Sequence, residues 1–387
     1  MECTYNMKMT PVGLIPEDWD VATIKDFGYL LSDGINPQQY RGRDFVEYSM
    51  PAYDDGQSPT KCKGADMNSN RTQIQGEVLL FNKLNVRQKR VWYIENAPSN
   101  ALCSMEFLAY SSDKVDLRLL REILLQDSVT KSFESVSRGT SNSQKRIAPS
   151  DFLYFSFALP PLAEQHRIAD ALSAVDELIG VLDEAIAKKR QIKEGLMRQL
   201  LTGRTRLSGY KATWEEFTFQ TVFTSVSDRG RNVDTTEYKE SGLYPIIDQS
   251  QNAIAGYTDK SNPIVPTHCG YIVFGDHTRI FKYVEQPFFT GADGTRVLSV
   301  SNKFDTKFVY YYSQMLDIPN TGYNRHFKYL KASRFVMPDD ICEQKEISSI
   351  FTAADTEIQS LEAERDKYIL IKQGMMQELL TGKTRLI

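Results

Sequence analysis

Two stretches of the chain repeat apolar residues at steps of three and four. In the first these are Ile168, Leu172, Val175, Ile179, Leu182, Ile186, Leu196 and Leu200. In the second they are Ile347, Phe351, Ala354, Ile358, Leu361, Met375 and Leu379. This is the helical period. The apolar seam is narrow, as in helices that pack on another helix. Pro160-Pro161 and Pro338 stand just before the two stretches, where a helix tolerates proline. A Thr-Gly pair closes each, with glycine suited to the left-handed cap. About 40 residues at ~1.5 Å rise predict a rod of roughly 60 Å.

The two stretches are copies of one another. Residues 164–207 and 343–386 align without a gap at an offset of 179, with 19 identities in 44 positions. Such a period is far too long for a solenoid unit. It predicts two domains, each followed by one long helix. Similar halves commonly pair about a twofold axis, which predicts an antiparallel helix pair. Lys189 and Lys193 interrupt the first seam, and Arg365 and Lys372 the second; polar seam residues weaken packing but fix register. A helix packed only on its own domain is the plainer alternative. The fold class expected is α+β: two mixed α/β domains in pseudo-twofold arrangement, separated by an antiparallel coiled coil. The segments are 1–158, 159–207, 208–338 and 339–387.

Period-two patterning marks strands at Asp20–Ile24, Glu77–Phe81, Arg90–Ile94, Phe217–Phe223, Gly270–Gly275 and Ile280–Val284, and Val115–Leu125 reads as a helix. Trp19 and Trp214 open the two halves similarly. The loop Asn82–Arg90 has four basic residues, three amides and no acid. Ser137–Arg146 is polar, small and basic. In the second half Asp276-His277-Thr278-Arg279 links two strands, and Gly322–Arg334 carries four basic residues, one His and three aromatics without an acid. Lys and Arg neutralise phosphates, while Asn, Gln and Arg can bond base edges. A solvated loop, or a cationic edge strand in the last case, is the alternative for each.

The net charge of −4 argues mildly against a nucleic-acid binder, but its distribution softens that. Residues 339–387 alone hold 10 acidic against 6 basic residues, so local basic clusters matter more than the sum. No apolar run reaches about 18 residues, and no basic start precedes an apolar segment, so neither a membrane span nor a secretion signal is expected. The five cysteines are scattered without a CxxC, which suits a reducing cytoplasm and offers no zinc framework. Gly382-Lys383-Thr384 resembles the end of a phosphate-binding loop, but Gln377 stands where that motif needs glycine. Asp339 with Glu343, Gln344 and Lys345 faintly suggests a nuclease set, and His268, Asp276 and His277 a metal or acid–base site. No complete catalytic constellation or metal site emerges.

Two variable halves, each closed by a helix opening on Glu-Gln and ending Leu-Leu-Thr-Gly-(Arg/Lys)-Thr-Arg-Leu, resemble the specificity subunit of a type I restriction–modification system. Pro160-Pro161-Leu162-Ala163-Glu164-Gln165 and the duplicated helix ends carry the likeness most specifically. Phe274–Arg279, Gly322–His326 and Lys83-Leu84-Asn85 resemble target-recognition segments. Pro338-Asp339-Asp340-Ile341-Cys342 departs from the family's Pro-Pro-Leu tendency, which bears on how the second helix begins.

The resemblance implies two target-recognition domains, each reading one half of a split double-stranded DNA sequence. The helices would set the gap and dock two modification subunits. Those would carry S-adenosylmethionine and methylate adenine. Two restriction subunits using ATP and Mg could join. The chain itself would be a non-catalytic cytoplasmic protein without a cofactor. The DNA contacts expected are Lys83, Asn85, Arg87, Lys89, Arg138, Ser141 and Lys145 in the first domain. In the second they are His277, Thr278, Arg279, Asn324, Arg325, His326 and Lys328. A coiled-coil scaffold that never touches DNA is the rival reading, and a nuclease around Asp339 and Glu343 a third.

Overall fold

The computed structural model describes residues 6–139, 144–211, 213–291, 294–322 and 324–387. The chain divides into two compact units, residues 1–181 with 365–387 and residues 182–364. The division runs through both long helices instead of falling at their starts. Each unit therefore holds the first half of its own helix and the second half of the other.

In the first unit, β1 (Asp20–Thr23) pairs antiparallel with β6 (Ser156–Leu159). The main sheet contains β2 (Gly28–Leu30), β3 (Arg71–Asn82), β4 (Val91–Ser104) and β5 (Phe107–Ser112), in the order β2-β5-β3-β4, and continues through Asp44–Tyr48 to Thr60–Lys63. Helices α1 (Leu117–Leu124), α2 (Asp127–Val136) and α3 (Pro149–Leu153) follow, and then α4 (Leu162–Leu200). In the second unit, β7 (Trp214–Thr218) pairs with β12 (Arg334–Pro338). Strands β8 (Phe223–Val226), β9 (Tyr271–Gly275), β10 (Phe281–Val284) and β11 (Thr295–Val300) lie in the order β8-β11-β9-β10. A separate three-stranded sheet of Tyr244–Ile247, Gly256–Thr258 and Phe289–Thr290 lies in this unit too, with helices α5 (Thr306–Ser313) and α6 (Phe327–Ala332) and the first half of α7 (Ile341–Leu379). The four strands β8-β11-β9-β10 repeat the order and antiparallel sense of β2-β5-β3-β4, which in the first unit are part of a larger sheet. The duplication thus extends through the bodies, where the sequence shows little of it.

Two expectations are corrected. The run Phe217–Phe223 is not one strand: β7 ends at Thr218, whose hydroxyl caps a single helical turn, Phe219–Val222. The alternative given for the basic stretch, a cationic edge strand, does not hold either: residues 327–332 form α6 and only Arg334 enters β12.

The Glu-Gln pair that opens each long helix has a structural task. Gln165 donates to the Pro160 carbonyl (2.9 Å) and accepts from the Asp116 N–H (3.0 Å), tying the helix start to the start of α1. Gln344 does the same with Pro338 (2.7 Å) and Asp305 (2.8 Å), at the start of α5. The departure at Asp339-Asp340 leaves this intact, because Asp340 accepts from the Cys342 N–H at 2.8 Å and caps α7. Burial pushes the Asp116 carboxyl up, but hydrogen bonds from Arg118 and His166 outweigh it and hold the group below the usual range.

Within each unit the helix segments run antiparallel. In the first, Arg385 reaches Glu164 and Lys372 reaches Asp176. In the second, Arg206 reaches Glu343 and Lys193 reaches Asp355. The lysines that interrupt the seams are therefore its register locks. Lys372 sits 2.7 Å from Asp176 and 2.9 Å from the buried Glu122. Lys193 pairs with Asp355 and lies 5.1 Å from the Tyr311 ring centroid. Of the seam, Ile168, Leu172, Leu182, Leu200, Ile347, Phe351, Ile358 and Leu379 are buried. Val175, Ile179, Leu196, Ala354, Leu361 and Met375 are half-buried. The seam also serves the bodies: Ile168, Leu172 and Leu379 share one core with Trp19, Ile24 and Phe152. The plainer alternative is thus part of the answer.

Gly203 and Gly382, the helix-ending glycines, both have φ +68°. A Cβ on Gly203 would lie 3.2 Å from the Trp214 ring, whereas one on Gly382 would lie 2.4 Å from Pro16. Gly203→Ala is expected to cost about 1–2 kcal/mol from backbone strain. Gly382→Ala should cost roughly 1–3 kcal/mol more from overpacking. Equal losses in urea midpoint for the two variants would contradict this account.

Candidate nucleic-acid interface

The hairpin β3–β4 ends in the loop 82–90, and backbone bonds knit it to the second basic loop. Asn85 N–H donates to the Lys145 carbonyl (2.8 Å) and Ile147 N–H to the Lys83 carbonyl (3.1 Å). Arg138 and Arg146 exchange two bonds of 2.8 and 2.9 Å. The two loops proposed separately from sequence are thus one surface. Asn85 and Lys89 have φ of 51° and 48°; a left-handed lysine is uncommon and points to a constrained loop.

The hairpin β9–β10 repeats the arrangement. Lys83 N–H donates to the Glu106 carbonyl at 2.9 Å, and Asp276 N–H to the Gly294 carbonyl at 2.7 Å. As the Lys83 carbonyl takes Ile147 N–H, the Asp276 carbonyl takes His326 N–H, at 2.8 Å. Phe327 N–H adds a 2.7 Å bond to the Asp276 carboxylate. Arg279, at φ 64°, donates to the Ile318 carbonyl (3.0 Å). Loops 276–279 and 318–327 therefore also form one surface.

The expected contacts fall into different settings. Lys83, Arg138 and Lys145 form no ion pair among the described residues, and Arg138 is exposed. Arg87 pairs with Glu134 and Lys89 with Asp127, which offsets part of their charge. Arg90 and Arg146 are bidentate to Asp54 and Glu106. Ser141 lies outside the described residues. Thr278, Asn324, Arg325 and Lys328 are exposed and His277 is half-buried.

His326 needs correction as a direct contact, for it is fully buried. Thr321 N–H donates to its Nε2 (3.3 Å), so the proton sits on Nδ1, which donates to the Asp276 carbonyl (2.9 Å). It is a brace between the loops. Sequence reasoning missed Arg296 on β11, whose guanidinium emerges beside these loops; nothing in the linear pattern of an ordinary strand marks it. Phe327 has Arg296 at 5.5 Å and Lys331 at 4.9 Å from its ring centroid, so cations and aromatics do interleave.

The carboxylates of the nuclease reading are committed elsewhere. Glu343 is fully buried against Arg206, and Asp339 lies 2.7 Å from Lys303. Among the described residues no group of three or more His, Cys, Asp or Glu could hold a metal. The Cys103 thiol is buried, which pushes it up to about 12. Among the described residues no helix is long and apolar enough to cross a membrane.

Residues 211–369 match the type I restriction modification DNA specificity domain. The likeness extends along nearly the whole chain in a Methanocaldococcus jannaschii protein named for the specificity subunit of a type I restriction enzyme, MjaX. It is 25% identical and covers 98% of this chain and 97% of its own. Residues 211–369 thus carry that family's DNA specificity domain, and nearly the whole chain is similar to type I restriction–modification specificity subunits. The fold agrees with that family. The S subunit of a type I restriction–modification system from M. genitalium superposes with a TM-score of 0.66 at 16% identity, covering 98% of both chains. A chain solved for the structural basis of complex assembly and conformational transition of the type I R-M system gives 0.56 at 16% identity, covering 96% of this chain and 99% of its own.

Proposed function

We propose that this chain is a specificity subunit that reads a split double-stranded DNA sequence, one half through each unit. One observation carries the reading: the same two-loop junction is built twice, on the same strand order, with different side chains on its surface. A common frame bearing different letters suits two readers of different half-sites. Contacts in the first unit come from Lys83, Asn85, Arg138 and Lys145, with the ion-paired Arg87 and Lys89 at the margin. In the second they come from His277, Thr278, Arg279, Asn324, Arg325 and Lys328. The chain acts without catalysis and without a cofactor. It docks two modification subunits, which supply S-adenosylmethionine, and can accept restriction subunits using ATP and Mg. All of this takes place in the cytoplasm.

Phosphate contacts make binding fall steeply with salt. The full chain is expected to bind duplex DNA with a slope of several log units of affinity per log unit of salt. Duplex titrations between roughly 50 and 200 mM salt measure it. The scaffold reading requires no DNA binding at any salt concentration.

A further inference from the structure

At the loop junction of the second unit, two buried polar atoms of facing residues have no hydrogen-bond partner among the described residues. Asp276 is 1% exposed, yet its Oδ2 accepts no hydrogen bond; Arg296 Nη2 stands 3.5 Å away. Arg296 Nε is likewise buried without a partner, while 40% of the side chain is exposed. A buried carboxylate and a half-engaged guanidinium are costly to leave so. The pair nevertheless sits where loops 276–279 and 318–327 meet, over the Phe327 ring. The guanidinium is held by charge on one side and by an aromatic face below, and keeps donors to spare.

We infer that Arg296 is a base-reading, specificity-determining residue of the second unit, donating from its fork to the two major-groove acceptors of a guanine, and that Asp276 positions it. This rests on the DNA reading proposed above. Arginine's planar fork matches guanine O6 and N7 with two parallel bonds and stacks on Phe327, whereas lysine reaches the same acceptors from one nitrogen without that fixed geometry. The strand register sharpens the argument. Arg296 lies opposite Phe274 as Leu108 lies opposite Phe81 in the first unit. Phe274 and Phe81 stand two residues before Asp276 and Lys83 respectively. At the equivalent places the first unit thus has Lys83 and Leu108, and cannot form this pair. The frame is shared, and the two units read differently at this point.

The test is selection of bound duplexes from a randomised pool by the full-length chain, with R296A, R296K and D276N alongside. Thermal unfolding of each variant confirms that it folds. The unaltered chain is expected to select a split site containing a guanine that R296A no longer requires, with affinity for the selected site about 10- to 100-fold weaker. R296K should keep the salt slope and the fold but show a weaker preference for the same guanine. D276N retains the oxygen that receives Phe327 N–H and should relax the same position to a smaller degree. An unchanged site in R296A overturns the inference, as does weakening that is uniform across all positions. If the unaltered chain selects no sequence at all, the DNA reading itself fails, and this inference with it.

Discussion

Replacing Arg385 with alanine is expected to be the most damaging single change in the first unit. Its guanidinium reaches Glu164 at 2.7 and 2.8 Å and Asp18 at 2.7 and 2.8 Å. The side chains of Arg385 and Glu164 are only 3% and 2% exposed. Trp19 donates to the same carboxylate at 3.0 Å, so the segment after one long helix, the start of the other and the turn leading into β1 meet on Glu164. Without Arg385, a carboxylate would stay buried with no cation. Breaking one partner of such a pair typically costs about 3–5 kcal/mol. The matching Arg206→Ala also strands a fully buried carboxylate, Glu343, but Arg206 is 27% exposed, and water can replace part of what is lost. Urea unfolding of both variants checks this. A loss under about 1 kcal/mol in Arg385→Ala would contradict the account. Replacing both Arg385 and Glu164 with leucine should recover much of the loss, since a buried pair is worth little more than apolar side chains of its volume.

The long helices, their antiparallel sense and their duplication were legible because each leaves a periodic trace. Leu200-Leu201-Thr202-Gly203 and its copy carry both a seam and a stop. Even the interrupting lysines were readable as register devices, though not that Lys372 would find Glu122 on α1. The shared sheet topology was not legible. Strand order is fixed by long-range pairing such as Tyr110 with Leu30, and substitution on the bodies has erased the pattern that a gapless offset preserves on the helices. At the candidate interface, charge and polarity found the loops but not their burial. His326 looked like a reader because histidine among basic residues looks exposed, and only the Asp276 carbonyl explains it. Arg296 escaped notice because a strand's periodicity says which face a residue lies on, not that a buried carboxylate waits beside it.

The largest functional effect is expected from exchanging residues 208–338 with the corresponding segment of another specificity subunit. Residues 208–338 hold β7 through β12, including both loops of the second junction. The Arg206–Glu343 and Lys193–Asp355 pairs flank the segment and are left in place. If each unit reads one half-site, the hybrid should direct modification to a site with one half replaced and the other unchanged. A scaffold without DNA contacts predicts no change in sequence preference.

The most direct measurement is a genome-wide map of methylated adenines in cells with the intact gene, without it, and with the exchanged segment. The account predicts that one split motif disappears on deletion and returns with a single altered half in the hybrid. A map that stays the same in all three would contradict it.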